Sequence, residues 1–84
     1  MSKILVIEDE KALRQSIVDL LEVENHQALE AEKGLSGLSL ACDEHPDLVI
    51  CDVRRPHLDG YEVLKALRVN IPTAKLPFYC PALR

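Results

Sequence analysis

Two short apolar runs that each end in acid constrain this chain more than any other feature. Leu48-Val49-Ile50-Cys51 runs into Asp52, and Ile4-Leu5-Val6-Ile7 runs into Glu8-Asp9-Glu10. A continuous apolar run of this length, bounded by turn signals, is the pattern of a strand buried on both faces. Pro46 stops an upstream helix from continuing into the later run, and Pro56 keeps the exit loop from becoming helix at once. Open α/β sheets place their ligands beyond the carboxyl ends of their strands. Two parallel neighbouring strands of this kind bring both acidic ends to one edge of the sheet.

The segments between the runs supply the helices that such a sheet needs. The spacing predicts a first helix over residues 12–24, with Leu13, Ile17, Leu20, Leu21 and Glu24 at i, i+4, i+7, i+8 and i+11. Asn25 can take the left-handed conformation that closes it. Residues 26–31 alternate weakly, which suits a polar strand near the sheet edge. A second helix is expected over residues 35–44, with Leu35, Leu38, Ala41 and Cys42 on one face. His45-Pro46-Asp47 then breaks the chain. Asp59 and Glu62 form a capping box for a third helix, whose Val63, Leu64 and Leu67 face inward and which ends at Asn70 before Ile71-Pro72. Lys65 and Arg68 fall on its solvated face. Leu76-Pro77-Phe78-Tyr79-Cys80 begins a fourth strand that Pro81 interrupts. Strands alternating with helices of this length imply a parallel sheet with right-handed crossovers.

Bulk properties narrow the function classes. Eighty-four residues form one domain at most, and a chain of that size buries roughly 60–65 % of its unfolded surface. A net charge of -4 argues against nucleic acid or an anionic membrane as a direct partner. No apolar run approaches the ~20 residues of a membrane span. The four-residue run at the start is too short for a signal peptide. Cys42, Cys51 and Cys80 are odd in number and lack CxxC spacing, so a reducing cytoplasm is the expected setting.

The chemistry rests on the acids. Glu8, Asp9 and Glu10 also complement the positive end of the first helix, which is their structural reading. Asp52 at a second strand end shifts the balance. Carboxylates sharing one crevice repel each other unless something positive joins them. Glu8, Asp9 and Asp52 together make a hard, all-oxygen site suited to Mg²⁺. The first βα turn carries acids and no GxGxxG, so it suits a cation where a dinucleotide fold would cradle phosphate. A carboxylate beside Mg²⁺ can attack a phosphoryl group and form an aspartyl phosphate. Arg54 and Arg55 could steer phosphate by charge, or simply be exposed loop cations. His57 near the site reads as a solvated loop histidine, Asp59 as a cap, and Cys51 as core.

At this point the residues match a family. The chain resembles the receiver domain of two-component response regulators. Residues Lys3-Ile4-Leu5-Val6-Ile7-Glu8-Asp9-Glu10 are similar to its opening strand and acidic pair. Pro46-Asp47-Leu48-Val49-Ile50-Cys51-Asp52-Val53-Arg54-Arg55-Pro56 resembles its phosphoacceptor strand and loop, and Leu58-Asp59-Gly60-Tyr61-Glu62-Val63-Leu64 the start of its third helix. The resemblance implies that Asp52 accepts a phosphoryl group from a sensor histidine kinase or phosphotransfer protein. It implies that Asp9 and Asp52 ligate Mg²⁺, with Glu8 acting largely through water, and that the backbone carbonyl of Arg54 is the third protein ligand. A cytoplasmic signalling module, not an enzyme, is expected.

The fold expected is α/β, a flavodoxin-like doubly wound parallel sheet, incomplete, with strand order 2-1-3 plus a stub of strand 4. The family has five βα units, so residues 1–84 are expected to be a C-terminally truncated receiver domain. The Ser or Thr that ends the family's fourth strand is not matched here, and the fifth strand with its Lys is absent. Three consequences are expected. A degenerate interaction module that is not phosphorylated stands as the alternative function. A small Mg²⁺-dependent phosphohydrolase is disfavoured, since no second acid stands two residues after Asp52. The third strand, residues 48–51, is expected to leave an unpaired edge through which the chain forms a homodimer.

Overall fold

The computed structural model describes residues 2–51, 60–69 and 77–79. They form, in chain order, β1 (Lys3–Ile7), α1 (Lys11–Val23), β2 (Gln27–Ala31), α2 (Gly34–Glu44), β3 (Leu48–Cys51), α3 (Gly60–Val69) and β4 (Phe78–Tyr79). The strands lie in the order β2-β1-β3-β4, and each neighbouring pair is parallel. This is the expected flavodoxin-like α/β sheet, with β4 a two-residue stub. The alternation of strand and helix produces it directly, because each crossover helix lies over the sheet it leaves.

β1 sits inside the sheet, and its four apolar residues are all buried, Leu5 and Val6 completely. Successive side chains of a strand point to opposite faces. Leu5 and Ile7 share a core cluster with Ala31, Ala41, Val49, Cys51 and Leu67, against which Leu29, Leu38, Leu40 and Phe78 pack. That face is covered by α2 and α3. Ile4 and Val6 belong to the opposite face, where α1 packs on β1 and β2. β2 is at the sheet margin and is the most polar strand, as its weak alternation predicts.

Charged residues close the amino end of β1. The Lys3 N–H donates to Asp47 Oδ2 at 2.8 Å, and the Asp47 N–H donates to the Lys3 carbonyl at 2.6 Å. Lys3 Nζ donates to the Glu44 carbonyl at 3.0 Å and lies 3.5 Å from Glu44 Oε1. Asn25 and His45 both adopt positive φ, 67° and 50°, where α1 and α2 give way to the next strand. Asn tolerates this region better than most residues, and its appearance at position 25 follows the sequence expectation.

Three expectations need correction. The buried residue of α1 is Val18, flanked by half-buried Arg14 and Leu21, whereas Leu13 and Leu20 are exposed. Of the expected stripe, Ile17 and Leu21 are half-buried beside Val18, while Leu13, Leu20 and Glu24 are exposed, so the face that meets the sheet lies to one side of it. On α2 the expected Ala41 is buried, Leu38 packs on the core and Cys42 is half-buried, but Leu35 is exposed and the glycines Gly34 and Gly37 are buried in its stead. The reason is close approach: a Cβ on Gly37 would fall 2.3 Å from Ile7 Cδ1, so α2 packs through its small residues. Finally, β3 is not an open edge. β4 pairs with it, Val49 opposite Phe78 and Ile50 opposite Tyr79, and the Val49 N–H donates to the Pro77 carbonyl at 2.9 Å. Pro81, expected to interrupt this strand, lies outside the described residues. Among the described residues β4 forms the sheet margin on this side, and its Tyr79 is exposed. Asp59 and the side chains of Glu62 and Val63 lie outside what is described, so the capping pair is not seen.

Candidate functional site

Strand β1 ends at Ile7, and three acids follow. Glu8 is held at three points. Its N–H donates to the Ala31 carbonyl at 3.0 Å, so β2 grips the chain one residue beyond the strand. Its own carbonyl accepts from Arg14 Nη1 at 2.9 Å. Its carboxylate is buried, 3 % exposed, and Oε2 accepts from the Glu10 N–H at 2.9 Å. Carboxylates are seldom buried without dedicated partners, so this constellation is built around one side chain.

Arg14 is in the first turns of α1, where its N–H donates to the Glu10 carbonyl at 2.9 Å. Its guanidinium reaches back over the turn. Nη1 holds the Glu8 carbonyl, and Nε pairs with Glu30 Oε1 on β2 at 3.2 Å. Asp9 and Glu10 are exposed and form no ion pair among the described residues. The turn therefore carries surplus negative charge at a strand end.

Across the sheet, Ile7 is opposite Cys51, the last residue of β3. Cys51 is fully buried, in keeping with its reading as core. Asp52, Arg54, Arg55 and His57 lie outside the described residues. Of the sequence-predicted metal residues, Glu8 and Asp9 fall among the described residues, at successive positions in the turn after β1, the first buried and the second exposed. Among the described residues no group of three His, Cys, Asp or Glu converges on one point. The donors present suit Mg²⁺ by their chemistry: hard carboxylate oxygens, one buried and oriented by a backbone N–H, one open to water. Sequence reading did not single out Arg14 or Glu30. The signal available was an arginine four residues after the last acid of the turn, hence over it once the helix forms.

The family model for the response regulator receiver domain matches residues 4–79. The chain belongs to that family. It is similar to Protein PilH of Pseudomonas aeruginosa, 34 % identical over 77 residues, which are 92 % of this chain and 64 % of PilH. The chain thus spans less than two thirds of that relative. Among solved structures it resembles the N-terminal domain of a response regulator receiver protein from Methanoculleus marisnigri JR1, with TM-score 0.91 and 26 % identity over 95 % of this chain and 65 % of that one. It also shares the fold of the receiver domain of sensor histidine kinase PA1611 from Pseudomonas aeruginosa PAO1. There the TM-score is 0.89 at 23 % identity, with 99 % of this chain and 70 % of that one covered, and that protein has a magnesium ion coordinated in its active site cleft. Receiver domains are signalling modules of two-component systems. Among the described residues no helix is long and apolar enough to cross a membrane.

Proposed function

We propose that residues 1–84 work as one receiver unit in the cytoplasm and that Asp52 is its phosphoacceptor. A carboxylate oxygen of Asp52 attacks phosphorus, and the bond from phosphorus to the imidazole nitrogen of a phosphohistidine donor breaks. The electron pair returns to the imidazole, which leaves and takes up a proton. The donor is a sensor histidine kinase or a phosphotransfer protein. Glu8, Asp9, Asp52 and the Arg54 carbonyl would surround Mg²⁺, with Glu8 acting largely through water. When bound, the ion supplies positive charge that screens the repulsion between the carboxylates and the incoming phosphoryl group. The chain is the acceptor in this exchange and not an enzyme. A second copy joins it through the sheet margin at β4.

The observation that carries this reading is the buried, three-point-held Glu8 beside exposed Asp9 at the carboxyl end of β1. The register that sets Ile7 opposite Cys51 supports it, since Asp52 follows Cys51 in the sequence. The test is intact mass after incubation with Mg²⁺ and a small acyl phosphate donor. One phosphoryl adduct is expected on the wild type, none on Asp52→Asn, and none when a chelator replaces the metal. An adduct that survives in Asp52→Asn would falsify the assignment. Metal binding with no adduct at all would favour the interaction-module reading, and repeated turnover of the donor would favour a phosphohydrolase.

A further inference from the structure

The acidic turn is not held by its own residues alone. The Glu8 carbonyl points at Arg14 Nη1, and the same guanidinium is anchored through Nε to Glu30 on β2. Its side chain is only 12 % exposed, whereas that of Glu30 is 43 % exposed. Arg14 thus spans three segments: the turn after β1, the first turns of α1 and the margin of the sheet. The planar guanidinium presents several donors in a fixed fork, which suits simultaneous bonding to a carbonyl and a carboxylate. A lysine can make one of these contacts but cannot fix both directions.

We infer that Arg14 is a positioning residue for the divalent-cation site, with Glu30 as its anchor. The inference rests on the metal reading of Glu8 and Asp9 given above. Arg14 adds positive charge near the acids, which by Coulomb's law alone disfavours a bound cation. Its value lies in geometry. By drawing the Glu8 carbonyl toward α1 it sets the direction in which the chain leaves β1, and hence where the carboxylates of Glu8 and Asp9 stand. Glu30 neutralises part of the guanidinium charge, so the brace costs the site less electrostatically than a lone arginine would. Two opposing effects therefore meet in one side chain, and the sign of the change in metal affinity on its removal reports which dominates. Positioning predicts weaker binding without Arg14; charge alone predicts tighter binding.

The experiment is titration with Mg²⁺ alone, without any phosphodonor, on wild type, Arg14→Ala, Arg14→Lys, Glu30→Gln and Asp9→Asn. It is done at a temperature where circular dichroism shows each protein folded. Arg14→Ala is expected to weaken binding roughly tenfold, the low end of what partners lying behind metal ligands contribute. Arg14→Lys should recover part of the loss, and Glu30→Gln should weaken binding by less than the roughly tenfold of the arginine truncation. Arg14→Lys keeps the charge and loses the fork, so it keeps the test open if Arg14→Ala does not fold: positioning predicts weaker binding than wild type and charge alone predicts no change. Amide exchange at Asp9 and Glu10 in metal-free protein should quicken in Arg14→Ala more than exchange in β1, a difference that a merely global loss of stability would not produce. Equal or tighter Mg²⁺ binding by Arg14→Ala, or unchanged binding by Arg14→Lys where Arg14→Ala does not fold, with binding lost in Asp9→Asn, overturns the positioning role and leaves the metal site standing. Binding in wild type that Asp9→Asn does not alter overturns the metal site and the inference with it.

Discussion

The two ends of β1 are built from the same kinds of residue and do different things. At the amino end Lys3 faces Asp47 and Glu44, and the contacts are reciprocal: backbone donates to carboxylate, backbone to backbone, ammonium to carbonyl. At the carboxyl end Glu8, Asp9 and Glu10 follow one another, and Arg14 contacts a carbonyl of this turn while its ion pair goes to Glu30. The first end satisfies itself and ties strand to strand. The second keeps negative charge in excess and holds its backbone in place all the same. A latch and a receptacle differ here in charge balance, not in composition.

That contrast is broken or sharpened by measurements at each end. The largest effect is expected from Asp9→Asn, which should reduce Mg²⁺ affinity by at least about tenfold, since a direct ligand ought to cost no less than a partner lying behind one. In wild type, Mg²⁺ at about 100 times its dissociation constant should raise unfolding free energy by about 2.7 kcal/mol. Thermal melts with and without Mg²⁺ read both quantities, and a metal-induced shift of equal size in Asp9→Asn would erase the distinction between the ends. Next is Asp47→Ala, which removes the carboxylate that accepts from the Lys3 N–H. It should lower stability by about 1 kcal/mol in urea titration, the ordinary net value of a hydrogen bond, and leave Mg²⁺ affinity unchanged. A change in affinity there would mean that the amino end reaches the site. The smallest effect belongs to Lys3→Met, whose exposed ion pair with Glu44 should contribute less than about 1 kcal/mol and fade with added salt. A salt-independent loss of several times that size would show the latch to be more than a surface pairing.

Much of this was legible in the sequence, for physical reasons that can be named. Apolar runs such as 4–7 and 48–51 have little alternative to central parallel strands, so their place inside the sheet followed from them, while the strand order came from the resemblance to receiver domains. Asn25 announced its left-handed turn. The helix faces were misread where burial depended on what was missing from a position. Gly37 is buried because Ile7 occupies the space a side chain would need, and a count of leucines gives it no weight. Val18 is buried on α1, whereas Leu20 two residues on is exposed, because orientation on the sheet and not hydrophobicity alone chose the face. β4 was judged by Pro81, yet its pairing with β3 is made by Phe78 and Tyr79. Glu8 and Asp9 stand out in the sequence because they follow an apolar run. Arg14 does not, since its contacts are to a backbone carbonyl and to a residue on another strand.

The close approach at Gly37 has a consequence for how freely the sequence can drift. An extra methyl on α2 would normally be welcome, since alanine outranks glycine in a helix by about 1 kcal/mol. Here it would meet Ile7 Cγ1 at 2.7 Å as well as Cδ1. Ile7 branches at Cβ and is stiff about χ1, and it is 1 % exposed with no room to retreat. The thrust would pass into the backbone of β1, one peptide bond from Glu8. Position 37 is thus mechanically coupled to the acidic turn although it carries no functional group, and a variant screen scored only by folding would misjudge it.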